Sequence, residues 1–275
     1  MEERVAIVTG GLRGLGKAMA LGLAREGHRV LAVGHIASDV PETERAGAQL
    51  PGRLQAIVAD LRQAGECDRV VAAALAQFGA IDILVNNAGL TFTYIDPARY
   101  RRPSIQRFWQ VGDETVDNVV ATNYLAADRL ARRVASRMVE NGWGRIVNVT
   151  TKLDTMNRAG THPYGATKAA LEMATEVWAK EVEGTGLTIN IVNPGAGANT
   201  PGMAEEMRQM SRDGRAPRLV EPEEMVPPLI YVVSREADKV NGWRFDANLW
   251  DASLPPAEAA RKAGRPAGFE MRPVG

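Results

Sequence analysis

The sequence predicts an α/β fold in which helices cover both faces of a doubly wound, mainly parallel sheet. Short apolar runs alternate along the chain with longer stretches of helical periodicity, which is typical of successive βαβ units. The short runs are apolar almost throughout, as expected of strands that are buried on both faces. Together, the two patterns favour a sheet with helical layers on either side.

The elements alternate from the amino terminus onward. Each predicted strand is an apolar run bounded by polar residues or glycine, and the helices lie between the strands. The predicted strands span residues 5–9, 29–33, 54–58, 81–85, 145–149, 187–192 and 240–246, the last closing the sheet. The predicted helices end at Glu26 and near Gly79, or run from about Asp113 to Asn141 and from about His162 to Glu183. A polar stretch follows the second strand.

Composition narrows the function class. A chain of 275 residues, 45% of them hydrophobic, has enough core for one large domain, predicted over residues 1–250 and followed by a tail over residues 251–275. The formal net charge of zero gives no electrostatic case for nucleic acid or a membrane surface, so a small molecule is the expected partner. One cysteine, the absence of an apolar leader and the absence of a long apolar run predict a cytoplasmic protein.

Tyr164 and Lys168 lie four residues apart in a predicted helix, which places a phenol and an ammonium on one face. Tyrosine titrates near pH ~10, so proton exchange near neutrality requires its pKa to fall by roughly three units, or about 4 kcal/mol. One cation at ~5 Å supplies about 3 kcal/mol at an effective dielectric constant of ~20. A second cation, such as an oxidised nicotinamide ring, is therefore predicted; a chance pair on a helix is the alternative.

A glycine loop follows the first strand and leads directly into a helix. Gly10, Gly14 and Gly16 allow the backbone to turn sharply and to approach a pyrophosphate. The helix amino terminus behind them offers N–H groups and a partial positive charge. The spacing differs from the GxGxxG fingerprint. The loop predicts a phosphate site, with a simple tight turn as the alternative.

Two more segments follow strands at the same edge of the sheet. Asp60, after the third strand, is placed to accept a hydrogen bond from an adenine amine, or else to cap the next helix. The segment N86-N-A-G89, after the fourth strand, brings small residues and side-chain amides to the place where the cofactor should lie. An ordinary Asn/Gly turn is the alternative for the second segment.

The ordered set of motifs resembles the short-chain dehydrogenase/reductase family over roughly residues 4–247. The set consists of T9-G-x-x-x-G-x-G16, N86-N-A-G89, Asn123, Y164-x-x-x-K168 and N193-P-G195. The resemblance implies a Rossmann-type NAD(P)(H) oxidoreductase that exchanges hydride with a secondary alcohol or ketone, without a metal ion. It also implies that Tyr164 is the general acid/base, that Lys168 binds the nicotinamide ribose and that Asn123 holds a water molecule connecting Lys168 to solvent.

The chain departs from the family at the position thirteen residues before the tyrosine, where a serine usually polarises the substrate carbonyl. Thr151 stands there and keeps the hydroxyl, while the neighbouring Thr150 is a second candidate. The segment 196–200 also differs from the usual nicotinamide contact. The cofactor-binding residues implied by the resemblance are Gly10, Arg13, Gly14, Leu15, Gly16, His35, Asp60, Leu61, Asn87, Ala88, Gly89, Tyr164, Lys168, Pro194 and Gly195.

The end of the second strand favours NADP(H) over NAD(H). Relatives that prefer NAD carry an acidic residue there, which binds the ribose hydroxyls and repels a 2′-phosphate, but this chain has Gly34 followed by His35. Arg13 lies inside the glycine loop, where it is placed to pair with that phosphate. NAD(H) remains the alternative cofactor, with Arg13 as a solvated loop residue.

The segment 91–112 is about a dozen residues longer than in common family members. Its arginines and aromatic residues either cover an anionic or aromatic substrate or pack against another subunit; they are Tyr94, Arg99, Tyr100, Arg101, Arg102, Arg107, Phe108 and Trp109. The resemblance implies a homodimer or homotetramer. The rival functions are a non-catalytic dinucleotide sensor and a cofactor-free, halohydrin-dehalogenase-like enzyme, which would lack both the glycine loop and the lysine.

Overall fold

The computed structural model describes residues 2–101 and 103–269. Its strands form one sheet in the order β3-β2-β1-β4-β5-β6-β7-β8, and every pair is parallel except β7 with β8. The predicted doubly wound α/β fold is confirmed. The strands are β1 (Val5–Thr9), β2 (Arg29–Gly34), β3 (Leu54–Val58), β4 (Ile83–Asn86), β5 (Gly144–Asn148), β6 (Leu187–Asn193), β7 (Trp243–Asp246) and β8 (Gly264–Pro266).

Helices cover both faces of this sheet. They are α1 (Gly14–Arg25), α2 (Val40–Gly47), α3 (Ala64–Phe78), α4 (Phe92–Ile95), α5 (Asp113–Val120), α6 (Ala126–Glu140), α7 (Leu153–Met156), α8 (Tyr164–Glu181), α9 (Glu205–Arg212), α10 (Val226–Val232) and α11 (Pro256–Ala263). A π-helical turn, Ala121–Leu125, joins α5 to α6. Among the described residues, no helix combines the length and the apolar character that a membrane crossing requires.

The strand β1 shows why its residues form a central strand. All five side chains are buried, and successive side chains point to opposite faces of the sheet. Ala6 and Val8 join the core beneath α1 and α10, whereas Val5 and Ile7 join the core beneath α3 and α6. The chain order of the sheet reverses between β1 and β4, and the crevice at such a reversal is where doubly wound folds bind ligands.

The structure differs from the prediction at three elements. The last predicted strand begins at Trp243, because the Asn241 side chain accepts the Ile189 amide hydrogen at 2.9 Å and Gly242 has a φ of 75°. The polar stretch after β2 contains α2. The long helix predicted from Asp113 is interrupted by the π-helical turn around Asn123.

The segment after residue 250, which the sequence sets apart as a tail, contains α11 and β8. The strand β8 pairs antiparallel with β7, with Arg265 opposite Arg244, and extends the sheet. Residues 270–275 of the tail and Arg102 of the segment 91–112 lie outside the described residues.

Candidate active site

Tyr164 and Thr151 meet at the carboxyl edge of the sheet. Tyr164 is the first residue of α8 and is half-buried, while Thr151 is buried three residues after the end of β5. Burial raises the pKa of the Tyr164 phenol, and a hydrogen bond with the Thr151 side chain lowers it by a smaller amount. The net shift is upward in the protein alone, which differs from the lowering predicted from the Tyr164–Lys168 pair.

Burial also perturbs Lys168. Its side chain is buried and its Nζ donates a hydrogen bond to the carbonyl oxygen of Val149 at 2.8 Å. Burial lowers the pKa of Lys168 to about 8. A Cβ on Gly89 would lie 3.5 Å from both the Lys168 Nζ and the Asn123 Oδ1, so this glycine stands beside both side chains.

Asn123 is buried inside the π-helical turn, a feature that is common at functional sites. Its Oδ1 accepts the Leu90 amide hydrogen at 2.7 Å, and its Nδ2 donates to the Leu90 carbonyl at 3.1 Å. The same Nδ2 lies 3.3 Å from the Thr167 hydroxyl. The side-chain amide of Asn123 therefore holds the main chain at Leu90 against the helices, next to the turn of α8 that carries Lys168.

The glycine loop is packed so closely that side chains do not fit. A Cβ on Gly10 would lie 2.7 Å from the Asn87 Nδ2, and one on Gly16 would overlap the Gly10 carbonyl. Asn87 Nδ2 donates to the carbonyl oxygens of Thr9 and Gly10, at 2.9 and 3.2 Å. The Ala88 amide donates to the Thr9 hydroxyl at 3.0 Å.

The helix behind this loop fits an anionic group. Within residues 2–101 and 103–269, no side chain caps the amino terminus of α1, and its first turn, which includes Leu15, carries no acid. The amides at this end and the helix dipole are therefore available to a phosphate, as a dinucleotide requires. Thr200 and Pro201 lie against the glycine loop. Their carbon atoms are 3.2–3.6 Å from the position that a Cβ on Gly14 would take.

Arg13 is paired with an acid that the sequence analysis did not single out. Its Nε and Nη2 donate to the two carboxylate oxygens of Asp39 at 2.5 and 2.8 Å. Asp39 lies four residues beyond the exposed His35, in the turn between β2 and α2. The guanidinium of Arg13, which the sequence assigns to a 2′-phosphate, is therefore already paired with the carboxylate of Asp39.

Asp60 is also paired. The Arg62 guanidinium donates to its carboxylate at 2.7–3.1 Å, and these hydrogen bonds lower the pKa of Asp60. Arg62 additionally donates to Asn118 of α5 at 2.7 Å. Asp60 is not a helix cap, because Gln63 directly precedes α3. The adjacent Leu61 side chain is buried in the core beneath α3.

The structure separates the two candidate threonines. Thr150 donates its hydroxyl to the Glu172 carboxylate at 2.9 Å, away from the tyrosine, whereas the Thr151 side chain faces Tyr164. Glu172 is fully buried, as is its partner Arg244. Sequence reasoning missed both, although Glu172 continues the spacing of Tyr164 and Lys168 along one face of α8.

The first half of the segment 91–112 lies over the tyrosine. The Phe92 ring is centred 4.7 Å from the Tyr164 ring, and the Arg99 guanidinium lies 4.4 Å from the Phe92 centroid. Thr91 and Thr93 donate to the Gly202 carbonyl at 2.8 and 2.9 Å. Arg101 and Glu206 form an ion pair at 3.0 Å. These contacts hold the first half of the segment against the residues that follow β6.

The second half of that segment contacts the loop before α8 and lines a cavity of about 550 Å³ with it. Phe108 and Trp109 are 65% and 68% exposed there, although Phe108 also lies 6.2 Å from His162, centroid to centroid. A second cavity, of about 380 Å³, is bounded by Gly195, Lys152, Asp246 and Arg265. Pro194 joins that region through its carbonyl, which accepts the Asn248 amide hydrogen at 3.2 Å.

Comparison with known proteins gives concordant results. The model of the short chain dehydrogenase family matches residues 4–211. A 3-oxoacyl-acyl-carrier-protein reductase from Thermotoga maritima is 30% identical over 247 residues, which are 88% of this chain and 95% of that protein.

Two solved structures extend the likeness to three dimensions. L-sorbose reductase from Gluconobacter frateurii, complexed with NADPH and L-sorbose, has a TM-score of 0.76 and 26% identity, covering 90% of this chain and 96% of that one. The 3-ketoacyl-acyl-carrier-protein reductase from Brucella melitensis, complexed with NADH, has a TM-score of 0.74 and 25% identity, covering 88% and 96%.

Proposed function

The chain belongs to the short-chain dehydrogenase family, and on that premise we propose that it transfers hydride reversibly between NADP(H) and a secondary alcohol or ketone, with Tyr164 exchanging the proton. The oxidoreductase class acting on CH–OH groups is shared with its relatives. The observation that carries the finer proposal is the meeting of the Tyr164 and Thr151 side chains beside buried Lys168.

The cofactor site would be formed by the residues that the sequence assigns to it. The glycine loop and the uncapped start of α1 would hold the pyrophosphate, and Lys168 with Gly89 would border the nicotinamide ribose. When bound, the dinucleotide supplies or accepts the hydride and, in its oxidised form, adds a positive charge near the phenol. Arg13 would serve a 2′-phosphate after releasing Asp39.

The proton steps follow from the side chains present. The Thr151 hydroxyl would hold the substrate oxygen, and Tyr164 would donate a proton to that oxygen during reduction or take it during oxidation. Lys168 is charged below about pH 8 and would favour the phenolate form of Tyr164. Asn123 would hold the water molecule that connects Lys168 to solvent.

The wider assignments belong to the same proposal. The enzyme would act in the cytoplasm on a small carbonyl or alcohol substrate, as a homodimer or homotetramer through α5, α6 and α8. The half of the segment 91–112 that lies over Tyr164 favours a covering role for that part, whereas exposed Phe108 and Trp109 suit contact with another subunit. Light scattering measures the assembly.

A panel of ketones and secondary alcohols, assayed through nicotinamide absorbance, tests the reaction. Tyr164→Phe should abolish turnover of any accepted substrate while leaving dinucleotide binding, measured by fluorescence, close to that of the wild type. Near-normal turnover in that variant would refute the proton role. Binding of dinucleotide without turnover of any substrate in the panel would instead favour the sensor.

A further inference from the structure

A fully buried arginine on the last parallel strand connects three parts of the active site. Arg244 of β7 donates from Nη1 to the Glu172 carboxylate at 2.7 Å and from Nη2 to the Thr151 carbonyl oxygen at 2.9 Å. Its Nη2 also lies 3.0 Å from Asp246. Arg244 and Glu172 are both 0% exposed. One guanidinium therefore binds the strand, the tyrosine helix and the threonine loop together.

The same cluster holds the threonine loop at two successive residues. Thr150 donates its hydroxyl to Glu172, while Thr151 offers its main-chain carbonyl to Arg244. With the loop held by the Thr150 hydroxyl and by the Thr151 carbonyl, the Thr151 side chain is left to face Tyr164. Glu172 lies two helical turns after Tyr164, so the loop and the helix share one anchor.

We propose that Arg244, together with Glu172, is a positioning unit that fixes the Thr151 hydroxyl against the Tyr164 phenol. This role rests on the proposed function. Packing alone does not require a buried ion pair, because apolar residues of similar volume fill such a space equally well. The fork geometry is specific, since two guanidinium nitrogens serve two different elements, a task that one ammonium nitrogen performs poorly.

The test replaces both charges. The double variant Arg244→Met/Glu172→Met removes the pair without stranding a charge, and Asp246 keeps Asn193 at 2.6 Å and Arg265 at 3.4 Å as partners. The pKa of Tyr164 is measured from tyrosinate absorbance, as the difference from Tyr164→Phe, with and without NADP⁺. We expect that pKa to rise as it does in Thr151→Val, and kcat to fall about ten- to a hundredfold on any accepted substrate.

A matched control comes from the opposite end of the sheet. Arg145 on β5 is also buried and pairs with Asp238, but it lies at the amino edge, away from Thr151. Arg145→Met/Asp238→Asn should alter thermal stability and leave the Tyr164 titration unchanged. If the double variant at 244 and 172 does not fold, Arg244→Lys, which keeps the charge but loses the fork, decides by the same titration.

The outcomes distinguish this proposal from the proposed function. A raised Tyr164 pKa in Thr151→Val but not in the Arg244 variant overturns the positioning role, as does an equal rise in the Arg145 control. Failure of Thr151→Val to raise the pKa also overturns it, because there is then no contact to maintain. Absence of turnover in the wild type, with the expected titration pattern, refutes the reaction and leaves the positioning geometry supported.

Discussion

The guanidinium of Arg13 and the carboxylate of Asp39 form a two-pronged ion pair at the mouth of the glycine loop, with oxygen–nitrogen distances of 2.5 and 2.8 Å. A 2′-phosphate that used Arg13 would have to compete with this carboxylate for the same nitrogens. Asp39 is itself able to accept hydrogen bonds from an unphosphorylated ribose. In the proposed cofactor site, Arg13 would favour a 2′-phosphate and Asp39 an unphosphorylated ribose, so the two side chains would have opposing preferences.

Asp39→Asn should shift binding toward NADPH. Removing the competing negative charge should tighten NADPH about tenfold relative to NADH, which corresponds to about 1.4 kcal/mol. Dissociation constants from nicotinamide fluorescence measure the ratio. Glu42→Gln is the control, because Glu42 of α2 makes a similar exposed ion pair with Lys17 of α1, close to the Arg13–Asp39 pair in the chain. An unchanged ratio in Asp39→Asn would mean that Arg13 does not receive the phosphate.

Phe92→Ala should impair turnover without loosening the cofactor. The Phe92 ring packs on Tyr164 at 4.7 Å, and its removal would let water reach the phenol and free its side chain. We expect kcat/KM to fall about tenfold on an accepted substrate, with the dinucleotide dissociation constant unchanged. Phe108→Ala is the control, since that ring is mostly exposed and contacts Trp109 instead. Equal losses in both variants would contradict a specific role for Phe92.

Lys168→Met should stabilise the protein while abolishing activity. Burial lowers the pKa of Lys168 from 10.5 to about 8, so holding the charged lysine in the folded wild type costs about 3 kcal/mol of stability. Methionine removes this cost but also loses the hydrogen bond to Val149, which contributes about 1 kcal/mol. We expect a gain of about 2 kcal/mol in unfolding free energy at neutral pH.

The gain from Lys168→Met should shrink as the pH rises from about 8 towards 10.5, because the wild-type lysine then folds uncharged while the unfolded chain still binds the proton. Chemical denaturation at several pH values measures it. Lys180→Met is the control, because Lys180 is exposed on the same helix and pairs with Glu176. A loss of stability in Lys168→Met at pH 7 would contradict the predicted burial cost.

His28 should make the fold acid-sensitive. It is buried, its Nδ1 accepts the Arg4 amide hydrogen at 3.2 Å, and burial lowers its pKa below the 6.5 of an exposed histidine. Below pH 6.5, His28 binds a proton in the unfolded chain but not in the folded one. The unfolding free energy therefore falls by up to about 1.4 kcal/mol per pH unit.

His28→Gln should remove that part of the pH dependence, as measured by urea unfolding between pH 7 and pH 5. His35→Gln is the control, because His35 is exposed. If His28→Gln and the wild type lose stability in parallel over this range, the acid sensitivity has another origin.

The elements that the sequence predicted well are those whose signals are local. The strand β1 and the helix α8 are a continuous apolar run and a long periodic segment, and both lie at the predicted positions within two residues. The helix α2 was missed because it is short and polar, and depends on Thr43 donating to Leu12 in the glycine loop at 3.0 Å. That contact joins residues far apart in the chain.

The contacts of the candidate site also fall into local ones, which the sequence predicts, and long-range ones, which it does not. Spacing within one helix places Tyr164 and Lys168 together, but the Arg13–Asp39 pair and the Arg244–Thr151 contact join distant segments, so neither has a local signature. The pKa of Tyr164 was unpredictable for a related reason. The attraction between Lys168 and a Tyr164 phenolate can be calculated from the spacing of the two residues. The larger effect is the rise of the Tyr164 pKa on burial, which depends on the side chains packed around the phenol.

The strands β7 and β8 follow β6 in the chain, so the contacts of Arg244 can form only after β6 has been synthesised. The strand β7 carries Arg244, and just beyond β8 the Gly268 amide lies 3.4 Å from the Glu172 carboxylate. A nascent chain that has completed β6 thus possesses Tyr164, Lys168 and Thr151 without Arg244, the partner of the Thr151 carbonyl.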